Sequence, residues 1–356
     1  MPLSAFIPVI LIYLFGISNL FGIRPDLVTQ SLIHGALGLS IFVFVRYFKI
    51  NTHFIRSNAL PFFIITFILL VGTHFFGQEI KGSKRWLDLG LFPLQTSELF
   101  KIFYIAFFAT IFAKASHELH QSYLFIKTLS IALVSCVVIF LQPDLATSII
   151  TFGIYFMMLL HSPVSRKQIT TFFIITVLCL PIFWFIMQDY QKARITSFLG
   201  TETDRAGSSY NMTQAMIAVG SGQFLGKGLG MGKQSQLSFL PEYHTDFAFS
   251  SLVEQFGFLG GAMLIGLYLW FFSLIFFYML KHIDSKDFDR RYLFYYLVGF
   301  SLMMISQAVV NIGMNVGLLP IAGVTLPLVS YGGSSLITFI LGMAFIPAPP
   351  SKGSGI

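Results

Sequence analysis

Apolar runs long enough to cross a membrane, joined by polar links, set the pattern of this chain. Ten such runs predict helices over 4–23, 27–47, 59–76, 99–115, 123–141, 144–161, 168–187, 247–280, 291–315 and 331–347. A helix rises 1.5 Å per residue, so about 20 apolar residues span the hydrocarbon core. The eighth run is too long for one straight crossing and is expected to tilt or project beyond the bilayer. The fifth and sixth meet at Gln142-Pro143-Asp144, a helix-breaking turn. The first run lacks a basic leader and a small-residue cleavage site, so it reads as a span and not a signal peptide. The pattern predicts an all-α polytopic membrane protein of ten transmembrane helices. Residues 1–356 form one membrane domain with loops at about 77–98 and 188–246, the larger between helices 7 and 8, and a short tail at 348–356.

Composition agrees. The chain is 55% hydrophobic and 10% charged, against about 25% charged in soluble domains. Its 42 phenylalanines suit lipid-facing and interhelical packing. Cys136 and Cys179 lie inside apolar runs, which argues against a disulfide scaffold or a thiol nucleophile. Arg46, Lys49, Arg56, Arg166, Lys167, Lys281, Lys286, Arg290 and Arg291 fall in links that share one side, predicting that side and both termini to be cytoplasmic. The opposite side also holds basic residues: Lys81, Lys84, Arg85, Lys192, Arg194, Arg205, Lys227 and Lys233. The net charge of +7 therefore reads as loop orientation plus an anionic substrate on the outer face, not as nucleic-acid binding.

Four segments carry candidate chemistry. Asp246 stands at the mouth of the eighth run in Leu240-Pro-Glu-Tyr-His-Thr-Asp-Phe247, where it (or Thr245) either caps the helix or acts as a base. His244 beside it is either solvated or a proton shuttle. Glu254, eight residues on, is expected to face broadly the same way, as structure or as support for the site. Glu98 and Lys101, three apart at the start of the fourth run with Ser97 as the expected N-cap, form either a structural ion pair or an anion site. Trp86 suits an interfacial amphipathic segment. The Gly220–Gly232 loop fails the P-loop spacing and reads as flexible backbone near the substrate, with Lys227 available to it. The Gly- and Pro-broken stretch Asn311–Ser335 lies at membrane depth, which argues for a cavity between spans 9 and 10.

Six segments in order carry a resemblance over nearly the whole chain. They are Lys81-Gly-Ser-Lys-Arg-Trp-Leu-Asp-Leu-Gly90, Gln95-Thr-Ser-Glu-Leu-Phe-Lys101, Gln142-Pro-Asp-Leu-Ala-Thr147, Gly226-Lys-Gly-Leu-Gly230 with Gln234-Ser-Gln-Leu237, Pro241-Glu-Tyr-His-Thr-Asp-Phe247 and Pro327-Leu-Val-Ser-Tyr-Gly-Gly-Ser-Ser335. Together they resemble the SEDS family of bacterial peptidoglycan polymerases (shape, elongation, division and sporulation), on the RodA elongation branch more than the FtsW division branch. The resemblance implies lipid II as donor and acceptor, β-1,4 glycan growth and release of undecaprenyl diphosphate in the cytoplasmic membrane. It implies Asp246 as the essential aspartate, matched by Trp86, Glu98 and Lys101. A divalent cation (Mg or Mn), no organic cofactor, a class B penicillin-binding protein and other elongation-complex membrane proteins complete the expectation; the ligands of the cation are left open, with Asp246 and Glu98 as candidates. The chain departs from the family pattern at Thr96, Ala146, Ala248, Gln255 and Thr325; Gln255 stands where a second glutamate is common.

In the mechanism this suggests, Asp246 is general base on the acceptor 4-hydroxyl. Lys101, Arg85 or a cation meets the diphosphate charge, with Trp86, Lys227 and Glu98 in the binding set. Glu242, His244, Glu254, Ser330 and Tyr331 support the site. A lipid II flippase and a non-catalytic scaffold are the alternatives.

Overall fold

The computed structural model describes residues 3–48, 50, 52–80, 83–88, 90, 93–115, 121–200, 207–237, 239–283 and 285–347. Lys49, Lys81, Arg205 and the tail 348–356 lie outside them. After a single 3-10 turn the chain forms helices α1 (Phe6–Ile23), α2 (Pro25–Tyr47), α3 (Thr52–Ser57) and α4 (Ala59–Phe76). Strands β1 (Gln78–Ile80), β2 (Ser83–Asp88) and β3 (Pro93–Gln95) follow. Then come α5 (Thr96–Lys114), α6 (Gln121–Phe140), α7 (Leu145–Leu160), α8 (Arg166–Ile186), α9 (Asp189–Phe198), α10 (Ser208–Ser221), α11 (Lys233–Gln236), α12 (Ala248–Leu280), α13 (Phe288–Asn315) and α14 (Gly333–Ala344). Each expected run falls on a helix. Among the described residues, α1, α2, α4, α5, α6, α12 and α13 are long and apolar enough to cross a membrane, and α7 and α14 are shorter apolar helices.

α5 is the axis of the bundle. It packs on α4, α7, α13 and α14, and is buried on all sides, as an all-round apolar helix must be inside protein or lipid. Stacked rings at Phe63 and Phe107, 4.4 Å apart, join α4 to α5. The buried residues of α13 complete the centre, while α1, α2, α6 and α8 turn many large apolar side chains outward.

The link between α4 and α5, expected to hold a short amphipathic segment, is built of strands. It is an antiparallel sheet of order β1-β2-β3, with Trp86 paired to Gln78 and to Gln95. β3 runs directly into α5. Ser334, at the start of α14, pins this sheet: its hydroxyl donates to Pro93 O at 2.7 Å and accepts from Gln95 N–H at 3.0 Å. The turn at Gln142-Pro143-Asp144 is as expected, with the Asp144 carboxylate capping α7 through Thr147 N–H.

α12 does not tilt as one rod. It breaks at Gly257 (φ 69°, ψ −171°). The 222–228 loop fills the break: Lys227 and Gly228 N–H donate to Glu254 and Gln255 carbonyls, and Phe258 and Leu259 N–H donate to Gln223 and Phe224 carbonyls. A Cβ on Gly226 would overlap the Gln255 carbonyl oxygen, so only glycine fits this crossing. The Gly-rich loop is therefore a tightly bonded latch, not flexible backbone.

The loops sort to two ends. At one, Arg46 donates to Ile346 O, Arg56 pairs with Asp289, Arg166 donates to Leu160 O, and Tyr278 donates to Pro347 O. The Asp246 segment, the sheet and the α1–α2 corner share the other.

Candidate active site

Asp246 is held through its main chain. The Asn311 amide donates to the Asp246 carbonyl at 2.8 Å and to Val324 O at 2.7 Å. The Asn315 amide donates to the same Asp246 carbonyl at 3.1 Å. Asn315 Oδ1 also accepts from Ser250 N–H at 2.9 Å, and so caps α12 from another helix. The N-cap position falls one residue beyond the expected Thr245–Asp246 pair. The helix begins two residues after Asp246, at Ala248, behind an N-cap Phe247 that contributes no side-chain hydrogen bond. Thr245 instead donates to the Glu242 carboxylate at 2.9 Å, and Glu242 O accepts from Thr245 and Phe247 N–H, closing the turn on which Asp246 stands.

The segment after α13 forms the opposite wall. Ser330 donates to Thr245 O at 2.5 Å, and Tyr331 N–H donates to His244 O at 2.8 Å. Gly323 (φ 64°) passes the carboxylate so closely that a Cβ there would sit 3.6 Å from Asp246 Oδ2. The irregular backbone is satisfied by protein: Leu326 N–H reaches Ser330 Oγ, and Pro327 O accepts from Tyr268. A cavity also opens on the α1 side of this wall. It is small and lies between α1, α2 and 328–336, lined by Tyr13, Ser31, His34 and Ser330.

One turn along α13 from Asn311, Gln307 reaches a second polar group. Lys101, fully buried, donates to Glu98 Oε1 at 2.7 Å, and the Gln307 amide donates to both Glu98 oxygens at 3.2 and 3.1 Å. Four residues rise about 6 Å along a helix. The row Gln307, Asn311, Asn315 thus runs from the buried ion pair to the Asp246 carbonyl. The Ser97 cap is absent too: α5 starts at Thr96, whose hydroxyl meets that of Thr73 at 2.9 Å, and Ser97 lies inside the first turn.

The remaining expected residues do not converge on Asp246. Arg85 donates to Gln142 O at 2.9 Å and to Pro143 O, and lies 3.5 Å from Asp144, so it ties the sheet to the α6–α7 turn. Trp86 sits on the same strand. Glu254 points away from the Asp246 frame, because the helix starts only at Ala248 and the spacing carries no shared face across residues 246–247. Its carboxylate accepts from Gln234 N–H, Ser235 N–H and the Ser235 hydroxyl at 2.9, 3.2 and 2.8 Å, with Lys227 Nζ at 3.8 Å. Gln255 works beside it: Oε1 accepts from Gly230 N–H at 2.8 Å, and the amide donates to Asn19 Oδ1 at 2.6 Å.

A family model described as cell cycle protein, FtsW/RodA/SpoVE, matches residues 3–348. The chain belongs to this family. Similar members include "Peptidoglycan glycosyltransferase MrdB" of Escherichia coli K12, 36% identical over 88% of this chain and 83% of its own length. "Probable peptidoglycan glycosyltransferase FtsW" of Hydrogenovibrio crunogenus is 35% identical over 87% and 79%. A solved structure described as "Structural coordination of polymerization and crosslinking by a peptidoglycan synthase complex" matches 96% of this chain and 95% of its own at TM-score 0.79 and 25% identity. The crystal structure of the Thermus thermophilus rod shape determining protein RodA matches 96% and 94% at TM-score 0.70 and 23% identity, and supports the fold.

Several residues of this FtsW/RodA/SpoVE member escape a sequence reading. Gln307, Asn311 and Asn315 do, although three amides at four-residue spacing in an apolar run are a readable signal. So does Arg24, in the single-residue joint between α1 and α2. Its guanidinium is bidentate to Asp26 at 2.9 and 2.7 Å. Asp26 and the Tyr243 hydroxyl together hold it more firmly charged than usual. No described group of three or more His, Cys, Asp or Glu side chains is arranged to hold a metal ion. Both Glu98 oxygens already accept hydrogen bonds, so Glu98 does not fit the expected metal role.

Proposed function

We propose that this protein is a peptidoglycan glycosyltransferase that polymerises lipid II, with Asp246 as general base. The observation that supports this best is the way Asp246 is fixed. Its carbonyl is clamped by two amides of α13, and its flanks are bonded to 330–331, while the side chain stays partly exposed at the loop end of the bundle. A base must be held in a fixed position relative to the proton it takes, and anchoring the main chain on both sides of Asp246 does that.

The chemistry needs one carboxylate. The donor sugar is α-linked to diphosphate and the product is β-linked, so one inverting displacement suffices. The acceptor 4-hydroxyl passes its proton to Asp246 as its oxygen attacks the anomeric carbon, and undecaprenyl diphosphate leaves with the bonding pair. A diphosphate needs charge neutralisation and not a proton, unlike the leaving group in glycosidases, which use a carboxyl pair. Lys101 acts at one remove, balancing Glu98, which orients Gln307 at the base of the α13 amide row. Glu98, with both oxygens already accepting hydrogen bonds, does not fit a metal ion, and no step here runs through one. On this reading the loop end faces outward, both termini are cytoplasmic, and a class B penicillin-binding protein supplies crosslinking.

The test is a gel assay of purified protein with lipid II, with and without such a partner. A glycan ladder is expected. Lipid II translocation in vesicles with no ladder under any condition contradicts the reading and favours a flippase.

A further inference from the structure

We propose that Arg24 binds the substrate's diphosphate, exchanging Asp26 for that anion at the mouth of the Asp246 site. The inference rests on the glycosyltransferase reading and extends it to a residue outside the family motifs.

Position comes first. Arg24 follows α1, whose 18 residues rise about 27 Å, close to the thickness of the hydrocarbon core. A lipid-linked diphosphate sits at that level, just outside the hydrocarbon. Arg24 also borders the catalytic turn. Ile23 and Leu27, on either side of it, pack in one apolar cluster with Tyr243, three residues before Asp246, and with Tyr331, whose N–H is bonded to His244 O. The Tyr331 hydroxyl in turn donates to Gln30 Oε1 at 2.5 Å, so α2 closes the same rim.

Availability decides between the cations near the site. Lys101 is fully buried on Glu98, Arg85 is spent on two carbonyls of the 142–143 turn, and Lys227 lies on the carboxylate of the loop latch. Arg24 is different. It and Asp26 are 38% and 58% exposed, and Asp26 is only two residues away. Exposed pairs of this kind stabilise little, so a doubly charged oxyanion presenting several oxygens can displace the carboxylate at small cost. The planar guanidinium then keeps two parallel hydrogen bonds, which suits diphosphate better than an ammonium. Pro25 at the first position of α2 fixes the backbone of the joint that carries Arg24.

The experiment measures binding of undecaprenyl diphosphate to the full chain in phosphatidylcholine nanodiscs, on an Asp246→Asn background so that no turnover intervenes. Charge-assisted hydrogen bonds of this type correspond to roughly 10- to 100-fold in affinity. Arg24→Ala is expected to weaken binding by that factor, Arg24→Lys by less, and Asp26→Asn to leave it unchanged or tighter, all with thermal unfolding near that of the parent. Equal affinity in Arg24→Ala overturns the proposal. Equal losses in Arg24→Ala and Asp26→Asn also overturn it, by showing the pair to be a strut. A parallel arm replaces undecaprenyl diphosphate with phosphatidylglycerol. If Arg24→Ala weakens only phosphatidylglycerol association, the site is a headgroup contact and the proposal fails. Failure here leaves the role of Asp246 untouched, since that role is read from polymerisation.

Discussion

Replacing Lys101 by methionine isolates the buried ion pair. The variant keeps most of the side-chain volume and removes the ammonium 2.7 Å from Glu98 Oε1. The Glu98 carboxylate, 6% exposed, is then left with the Gln307 amide as its one hydrogen-bond donor among the described residues. Removing one partner of a buried pair costs about 3–5 kcal/mol, because the remaining charge stays desolvated. Neutralising both partners removes that penalty, so Glu98→Gln with Lys101→Met should recover most of the loss. The amide introduced by Glu98→Gln can still accept from Gln307 through its carbonyl oxygen. The assay is thermal unfolding of the purified single and double variants in one detergent, read as a double-mutant cycle. Lys101→Met should be the least stable of the set, with the double variant close to the parent. A single variant as stable as the parent, or a double variant no better than the single, refutes a structural role for Lys101 through Glu98.

Other expectations follow from the same contacts. Asn315→Ala removes the cap on Ser250 and one donor to the Asp246 carbonyl. It should cost about 1–3 kcal/mol in unfolding and lower polymerisation kcat by up to about 10²-fold through misplacement of Asp246, with a smaller change in KM. Gly226→Ala and Gly257→Ala force a Cβ against backbone at positive φ, so each should open the latch and make 222–235 sensitive to limited proteolysis; resistance equal to the parent contradicts the latch. Gln255→Glu, although it restores a common family residue, turns a donor into an acceptor facing Asn19 O and Oδ1. It should lower thermal stability by about 1–3 kcal/mol, and Asn19→Ala in the same chain should lessen the loss.

The helices were legible because a bilayer demands apolar length, and ten runs of that length stand in the sequence. Their buried faces were not. Lipid and protein interior are equally apolar, so α5, buried all round, and α1, half facing outward, read alike. The Gly257 break hid inside an unbroken apolar run, since its signal lies in the distant loop that satisfies the freed backbone groups. The sheet at 78–95 hid because its three strands are too short to show alternation. At the site, the charged residues were visible as exceptions to an apolar background. What each does depends on the partners that folding brings: Arg85 meets carbonyls, Glu254 meets the latch, and Asp246 is held by its main chain. Arg24 lay in a link too short to draw notice between runs 4–23 and 27–47.

Asp246→Asn tests the central claim most directly. Asn311 and Asn315 bind the carbonyl of residue 246 and not its side chain, so the variant should fold and unfold thermally like the parent. Incubated with lipid II and a class B penicillin-binding protein, it should yield glycan only at background level. A well-folded Asp246→Asn protein that polymerises lipid II at the parent rate contradicts the account.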